Sequence, residues 1–434
     1  MLSPEPELEA GTALSRAIRS FGWGLGDQAV SSLTNLALSL AVARSVSTAE
    51  LGVFSLVFQT YLIVLGISRV FSTDPLVIRY SARSLGEWRH ASRSATGTAT
   101  VIGAVSGASA VLAGWMIGGS AGAAFVALGV MLIGLIVQDA WRFAFFAQSK
   151  GIRAFLNDLI WGLTMIALLV LAFAMGQQSV AWFTAAWGLA AGVAAVVGMM
   201  QARLLPAPLL AVHWYRQNKD LSIPFLGGSL AFTLSTTLAT FLVGAIAGVA
   251  ALGSLRAAAI ILGPTTLIVS GLGLVAVPEA ARGLAESPKK LVRTAIAISS
   301  VAGACALIWG LFVLALPVDV GTDLLGANWV EGHALLFPMT IASVAGCVAI
   351  GANSGLKALE AATRILRLRI LGAVTILGVS VIGATLAGAA GVAGAAAVGE
   401  TLIALIWWLE FSRAVRERRL SGAELRRRTS PPQV

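Results

Sequence analysis

Apolar residues in this chain do not alternate with polar ones; they cluster in runs of about 20, each bounded by a short polar break. A run of that length, wound as a helix, crosses a hydrocarbon core of roughly 30 Å. Inside lipid every backbone N–H and C=O must bond within its own segment, so the runs predict helices. Twelve spans are expected: 22–43, 50–71, 95–117, 122–146, 155–175, 180–200, 222–245, 254–277, 292–316, 333–355, 368–388 and 391–411. The fold class is therefore all-α, a polytopic membrane protein of about twelve transmembrane helices.

Composition agrees with the pattern. Of 434 residues, 57% are hydrophobic and 12% charged, against about 25% charged in soluble domains. A single soluble globule and a disordered chain are both excluded. The net charge of +10 raises the question of nucleic acid, and its placement answers it. Of the 30 Lys and Arg residues, all but Arg44 and Arg256 fall on one side of the twelve-span arrangement. That asymmetry is the positive-inside signature. It predicts a multi-pass protein of a plasma membrane with both termini cytoplasmic, its basic residues meeting anionic headgroups and no nucleic-acid partner. The preference for Arg over Lys and the richness in Ala and Gly point to a bacterium of high-GC coding. The first twenty residues, with Glu5, Glu7, Glu9, Arg16 and Arg19, do not form a cleavable leader.

Chemistry-bearing motifs are few. Cys305 and Cys347 lie inside apolar runs and read as packing residues. His90, His213 and His333 have no partner at metal-ligand spacing, so no metal and no cofactor is expected. No phosphate-cradling G-x-x-x-x-G-K-[ST] loop is present for the use of ATP. Outer loops are short except Pro317–Gly332, which predicts an interfacial helix with Leu324, Leu325 and Trp329 toward lipid. A membrane enzyme that joins glycans needs a larger outer loop, so an enzyme is not expected. Trp23, Trp115, Trp141, Trp182, Trp309, Trp407 and Trp408 lie near span ends and read as an interfacial aromatic belt.

The chain also matches itself at an offset of 201 residues. Gly26, Ser32-Leu33-Thr34-Asn35, Val42 and Leu51-Gly52 fall on Gly227, Thr233-Leu234-Ser235-Thr236, Val243 and Leu252-Gly253. Two residues further, Pro75 and Arg79 fall on Pro278 and Arg282. Six spans in each half give the halves the same orientation, a parallel repeat. The expected organisation is a cytoplasmic tail 1–21, a six-helix lobe 22–200, a linker 201–221, a second six-helix lobe 222–411 and a basic tail 412–434. Two lobes around a central cleft suit a transporter that alternates access.

Three stretches resemble the multidrug/oligosaccharidyl-lipid/polysaccharide (MOP) exporter superfamily, and within it the polysaccharide flippase branch. They are Leu36-Ala37-Leu38-Ser39-Leu40-Ala41-Val42-Ala43-Arg44-Ser45 with Ala49-Glu50-Leu51-Gly52-Val53-Phe54-Ser55; Leu252-Gly253-Ser254-Leu255-Arg256-Ala257-Ala258 with Pro264; and Leu324-Leu325-Gly326-Ala327-Asn328-Trp329. The resemblance implies movement of a lipid-linked oligosaccharide or related glycolipid across the plasma membrane for cell-surface polysaccharide synthesis. The implied partners are membrane lipid, that glycan and the enzymes that assemble it. A second branch of the superfamily implies a proton- or sodium-coupled exporter of small organic cations.

Polar residues inside a membrane are costly and mark pathways by default. Asp27, Ser31, Thr34 and Asn35 form a stripe on one face of the first span, either a cleft wall or a hydrogen-bonded seam between helices. Glu400 falls roughly 13 Å into the last span at 1.5 Å per residue, either a proton-binding group or a neutral packing partner. Asp139 and Arg142 are expected to pair with each other or with Arg153 and Asp158. Arg44 and Arg256 at the outer mouth, with Arg69 and Arg142 at the inner, are the expected phosphate or headgroup contacts, the deep positions holding carboxylates and no cation.

Overall fold

The computed structural model describes residues 6–81, 83–148 and 150–429. Side-chain surroundings are described from 26 to 418, apart from 224–233, 266–271, 273–275, 278 and 362. Trp23, the N-terminal tail's acidic residues and the Arg residues beyond 418 lie outside the described side chains.

Every regular element among the described residues is helical. In chain order they are α1 (Pro6–Ser45), α2 (Thr48–Ser68), α3 (Asp74–Tyr80), α4 (Leu85–Ile117), α5 (Gly119–Ala147), α6 (Gly151–Ala174) and α7 (Val180–Ala202). Then come α8 (Ala211–Ala247), α9 (Val249–Ile261), α10 (Gly263–Glu286), α11 (Pro288–Leu314), α12 (Val318–Leu325), α13 (Asn328–Ala358) and α14 (Ala362–Thr429). A π-helical turn, Arg69–Thr73, joins α2 to α3, and a 3-10 turn, Pro208–Leu210, precedes α8. Eight described helices are long and apolar enough to cross a membrane.

The twelve expected spans map onto these elements with physical reasons for each break. The second span is α2 continued through the π turn into α3. The eighth is α9 and α10, parted at Leu262 because Pro264 starts the new helix. The last two are both α14, which bends at Ala387 and at Gly388, where φ is 56°. There the arms meet backbone to backbone: a Cβ on Gly383 would stand 2.5 Å from the Gly391 carbonyl oxygen. Span starts carry caps. Ser47 with Glu50 and Ser84 with Glu87 form capping boxes at α2 and α4, each satisfying two orphan donors.

The chain divides into two compact units, Met1–Thr237 and Leu238–Val434. Within the first, α4 and α5 form an antiparallel pair joined only by Gly118, at φ 70°, and Gly119, at φ 60°. Gly107 faces Gly129 and Gly114 faces Gly122, each so close that an added Cβ would meet a carbonyl oxygen. Small residues hold membrane helices together in this way, because apolar side chains gain nothing by leaving lipid for protein.

Two sequence expectations are corrected here. Leu325 and Trp329 turn into the protein, 0% and 1% exposed, and only Leu324 looks outward. Gly321 makes the difference: lacking a Cβ, it leaves a slot that the Trp329 indole fills. The aromatic belt is also thinner than expected. Trp115 and Trp182 are exposed, whereas Trp141 and Trp407 are buried. Trp309 and Trp408 donate to the carbonyls of Ile261 and Val348 at 3.0 and 2.9 Å. Their indole N–H groups tie helices together within the second unit.

Candidate functional site

Charged side chains gather in the core of the first unit, where α1, α2, α5 and α6 contribute to one cluster. From α5, Arg142 sends Nε and Nη2 to Asp27 Oδ2 of α1 at 2.6 and 2.5 Å. The same guanidinium lies 3.5 Å from Asp158 Oδ2 of α6. One turn earlier on α5, Gln138 donates to Asp158 Oδ1 at 2.7 Å and to Asn157 Oδ1 at 3.3 Å. Asn157 in turn donates to the Ala194 carbonyl of α7 at 2.8 Å. Asp139 faces the other way and takes both arms of Arg69, from the π turn, at 2.7 and 2.9 Å. That guanidinium also stands 4.9 Å from the Phe143 ring.

Burial makes this arrangement costly and specific. Asp27, Asp139 and Asp158 are all buried, as are Gln138 and Asn157. A desolvated carboxylate is tolerated only with a partner. Three carboxylates share two guanidinium groups, which leaves one negative charge over when all are ionised. Two buried oxygens, Asp27 Oδ1 and Asp158 Oδ2, accept no hydrogen bond. The surplus negative charge gives the group a place to take up a proton; among the described residues no cluster of three or more acidic, His or Cys side chains is arranged to hold a metal ion.

The other expected residues are distributed as follows. Ser31 and Thr34 are buried and Asn35 is half-buried. Thr34 packs on Gly162 of α6, where an added Cβ would stand 2.6 Å from its Oγ1. The stripe below Asp27 thus lies along the α1–α6 seam. Glu400 is half-buried on the second arm of α14, with no hydrogen bond or ion pair among the described residues. Arg44 is exposed at the end of α1, and Arg256 is half-buried on α9.

Three expectations change. The expected Arg142–Asp158 pair is present, but Asp139 pairs with neither Arg142 nor Arg153; Arg153 instead donates to the Gln201 carbonyl at 3.0 Å. Residues three apart on a helix point about 60° from each other, so Asp139 reaches α2's continuation while Arg142 reaches α1 and α6. The deep positions do hold a cation, Arg142, which position along the span assigns to the cytoplasmic end. Arg69 and Arg142, expected as phosphate contacts, are each occupied by carboxylates of this chain. Asp158 enters the sequence reading only as an ion-pair partner, and Gln138 and Asn157 do not stand out there as a site. Their only signal there is an Asn-Asp pair and a Gln-Asp pair within otherwise apolar runs.

The fold is similar to that of solved transporters of the MOP superfamily. It is similar to an inward-facing multidrug resistance MATE family transporter of that superfamily, with a TM-score of 0.66, 15% identity and coverage of 89% of this chain and 95% of that one. It is similar to the lipid II flippase MurJ in its inward closed conformation, with a TM-score of 0.65, 11% identity and coverage of 94% and 93%. A MOP superfamily transporter from Pyrococcus furiosus matches at a TM-score of 0.53 and 15% identity, covering 92% and 95%. No protein-family model matches the chain, and no curated protein does.

Proposed function

We propose that this chain is a cation-coupled transporter of a bacterial plasma membrane, with both termini cytoplasmic. Its substrate in this reading is a lipid-linked oligosaccharide or related glycolipid, moved between leaflets by alternating access. The observation that carries the coupling is the Asp27–Arg142–Asp158 group: buried, one charge short of neutral, and with two carboxylate oxygens that accept no hydrogen bond. Binding a proton there neutralises the surplus and alters the hold on Arg142, which joins α1, α5 and α6. A ligand shifts a conformational equilibrium only through such differential interactions. The glycolipid substrate is supported by the sequence motifs of spans 1, 2 and 8 and by the likeness to MurJ. With Arg69 and Arg142 held by carboxylates, the exposed Arg44 is the headgroup candidate this reading keeps.

A second reading, export of small organic cations, is favoured by the acidic surplus of the same cluster and by the likeness to a multidrug transporter. One experiment separates them. Purified protein in liposomes is given a pH or sodium gradient, with a fluorescent lipid-linked oligosaccharide in one preparation and ethidium in another. The proposal expects gradient-driven movement of the oligosaccharide, falling on the order of tenfold in Asp158→Asn. Movement of ethidium alone supports the second reading. A wild-type protein that moves its substrate with no response to either gradient overturns the coupling.

A further inference from the structure

The π turn Arg69–Thr73 sits directly against the charge cluster, and its backbone has an unusual need. In it the N–H of Asp74 bonds the Arg69 carbonyl, five residues back. The Val70 carbonyl would be served next by residue 75 in π register, and the Phe71 carbonyl by the same residue in α register. Residue 75 is a proline, with no N–H to give. Both carbonyls are instead taken by side chains far along the chain. Ser222 Oγ donates to the Val70 oxygen at 3.0 Å, and Trp214 Nε1 donates to the Phe71 oxygen at 3.1 Å. Ser222, Trp214 and Val70 are all buried. The same stretch of α8 is tied to α3, where Arg79 donates to the Gln217 carbonyl and to Asn218 Oδ1 and pairs with Asp220.

The extra residue of a π turn rotates the next helical segment by about 100° relative to a continuous α-helix. That rotation lets Arg69 face Asp139 while Leu76 stays fully buried and Arg79 faces Asn218 and Asp220. In α register one of these contacts would be lost. A π turn is uncommon and frequent at functional sites, and here tertiary partners hold it open.

We propose that Trp214 and Ser222 are positioning residues for cation coupling. By holding the two freed carbonyls they fix the register that sets Arg69 on Asp139. They thereby tie the charge state of the cluster to the start of α8. This inference rests on the coupling reading above. The groups facing Arg69 and its partner are Asp139 and Arg142 of α5, Asp27 of α1, Asp158 of α6, Tyr61 of α2 and Asp74 of α3. The ionisable groups on the α8 stretch itself, His213, Tyr215, Arg216, Lys219 and Asp220, are exposed. Arg79 holds the Asp220 carboxyl below the ordinary carboxylate range by hydrogen bonding, so Asp220 stays charged throughout a scan near neutrality.

The test reads thermal unfolding of purified protein in lipid nanodiscs from about pH 5 to about pH 9, with and without sodium chloride. A cation bound only by the folded protein raises the unfolding temperature as it saturates its site. Trp214→Phe keeps the ring and loses the donor; Ser222→Ala loses the hydroxyl. The double variant is expected to move the midpoint of the pH dependence by about half a unit or more, or the sodium midpoint by about threefold or more. Arg79→Gln, which leaves both carbonyl contacts in place, is expected to leave the midpoint where it was. A double variant that melts lower at every pH with the wild-type midpoint overturns the inference and leaves the coupling reading standing. A wild-type unfolding temperature flat in both pH and sodium overturns the two together.

Discussion

Arg142 is the residue on which the first unit's charges turn, because it alone compensates both Asp27 and Asp158. Removing it strands two buried carboxylates, and a broken buried pair costs about 3–5 kcal/mol. Arg142→Gln is therefore expected to lower stability by about that amount in detergent unfolding, and Asp27→Asn by less. The double variant should recover part of the loss, a coupling that a double-mutant cycle measures directly. At Glu400, which has no partner among the described residues, Glu400→Gln should slow transport with protein abundance unchanged, since the amide matches its shape but cannot titrate. Normal transport by Glu400→Gln, together with loss of protein in Glu400→Leu, would make the carboxyl a packing group. Asp27 is legible in the sequence because a carboxylate in an apolar run stands out. Its partner is not. Position along a span gives depth, but the face and the neighbour come only from packing, and Arg142 reads as a loop-end charge.

Helices and their starts follow from local chemistry at the scale of elements, and the capping serines of α2 and α4 stand on the N-terminal side of runs that any hydropathy pattern finds. The interruptions are another matter. Arg69-Val70-Phe71-Ser72-Thr73-Asp74-Pro75 reads as a span end, yet it is a π turn within a longer helix, stabilised by α8 side chains far along the chain. No local signal fixes that register. The crossing of α4 by the linker is likewise tertiary: Ala207 N–H donates to the Arg93 carbonyl at 2.9 Å, beside Gly97. A Cβ at Gly97 would stand 2.2 Å from the Ala207 carbonyl oxygen, and backbone cannot yield as a side chain can. Gly97→Ala is expected to cost about 1–3 kcal/mol. Gly86→Ala, in the same helix with open space around it, should be neutral or stabilising by up to about 1 kcal/mol. Parallel melting curves of the two variants check the contrast.

For the whole molecule, the long apolar helices are legible because lipid demands them, and the charge asymmetry is the ground on which their orientation is expected. Single cysteines in a Cys305→Ala/Cys347→Ala background test that orientation. Ser120→Cys, Gln177→Cys and Asp323→Cys should react with an impermeant maleimide applied from outside intact cells, and Gln217→Cys and Ser287→Cys should not; labelling of Ser287→Cys from outside would refute the arrangement. The joint between α4 and α5 bears on how such a molecule is made. Gly118 is the whole of that connection, and it and Gly119, the first residue of α5, both have positive φ, so the folded pair has no loop between its two helices. A connection this short is expected to favour entry of the pair together, as a helical hairpin, and the bend of α14 to favour the same for the last two spans. A polar segment of some twenty residues spliced between Gly118 and Gly119 is expected to uncouple the entry of α4 from that of α5, which insertion assays on truncated chains read out.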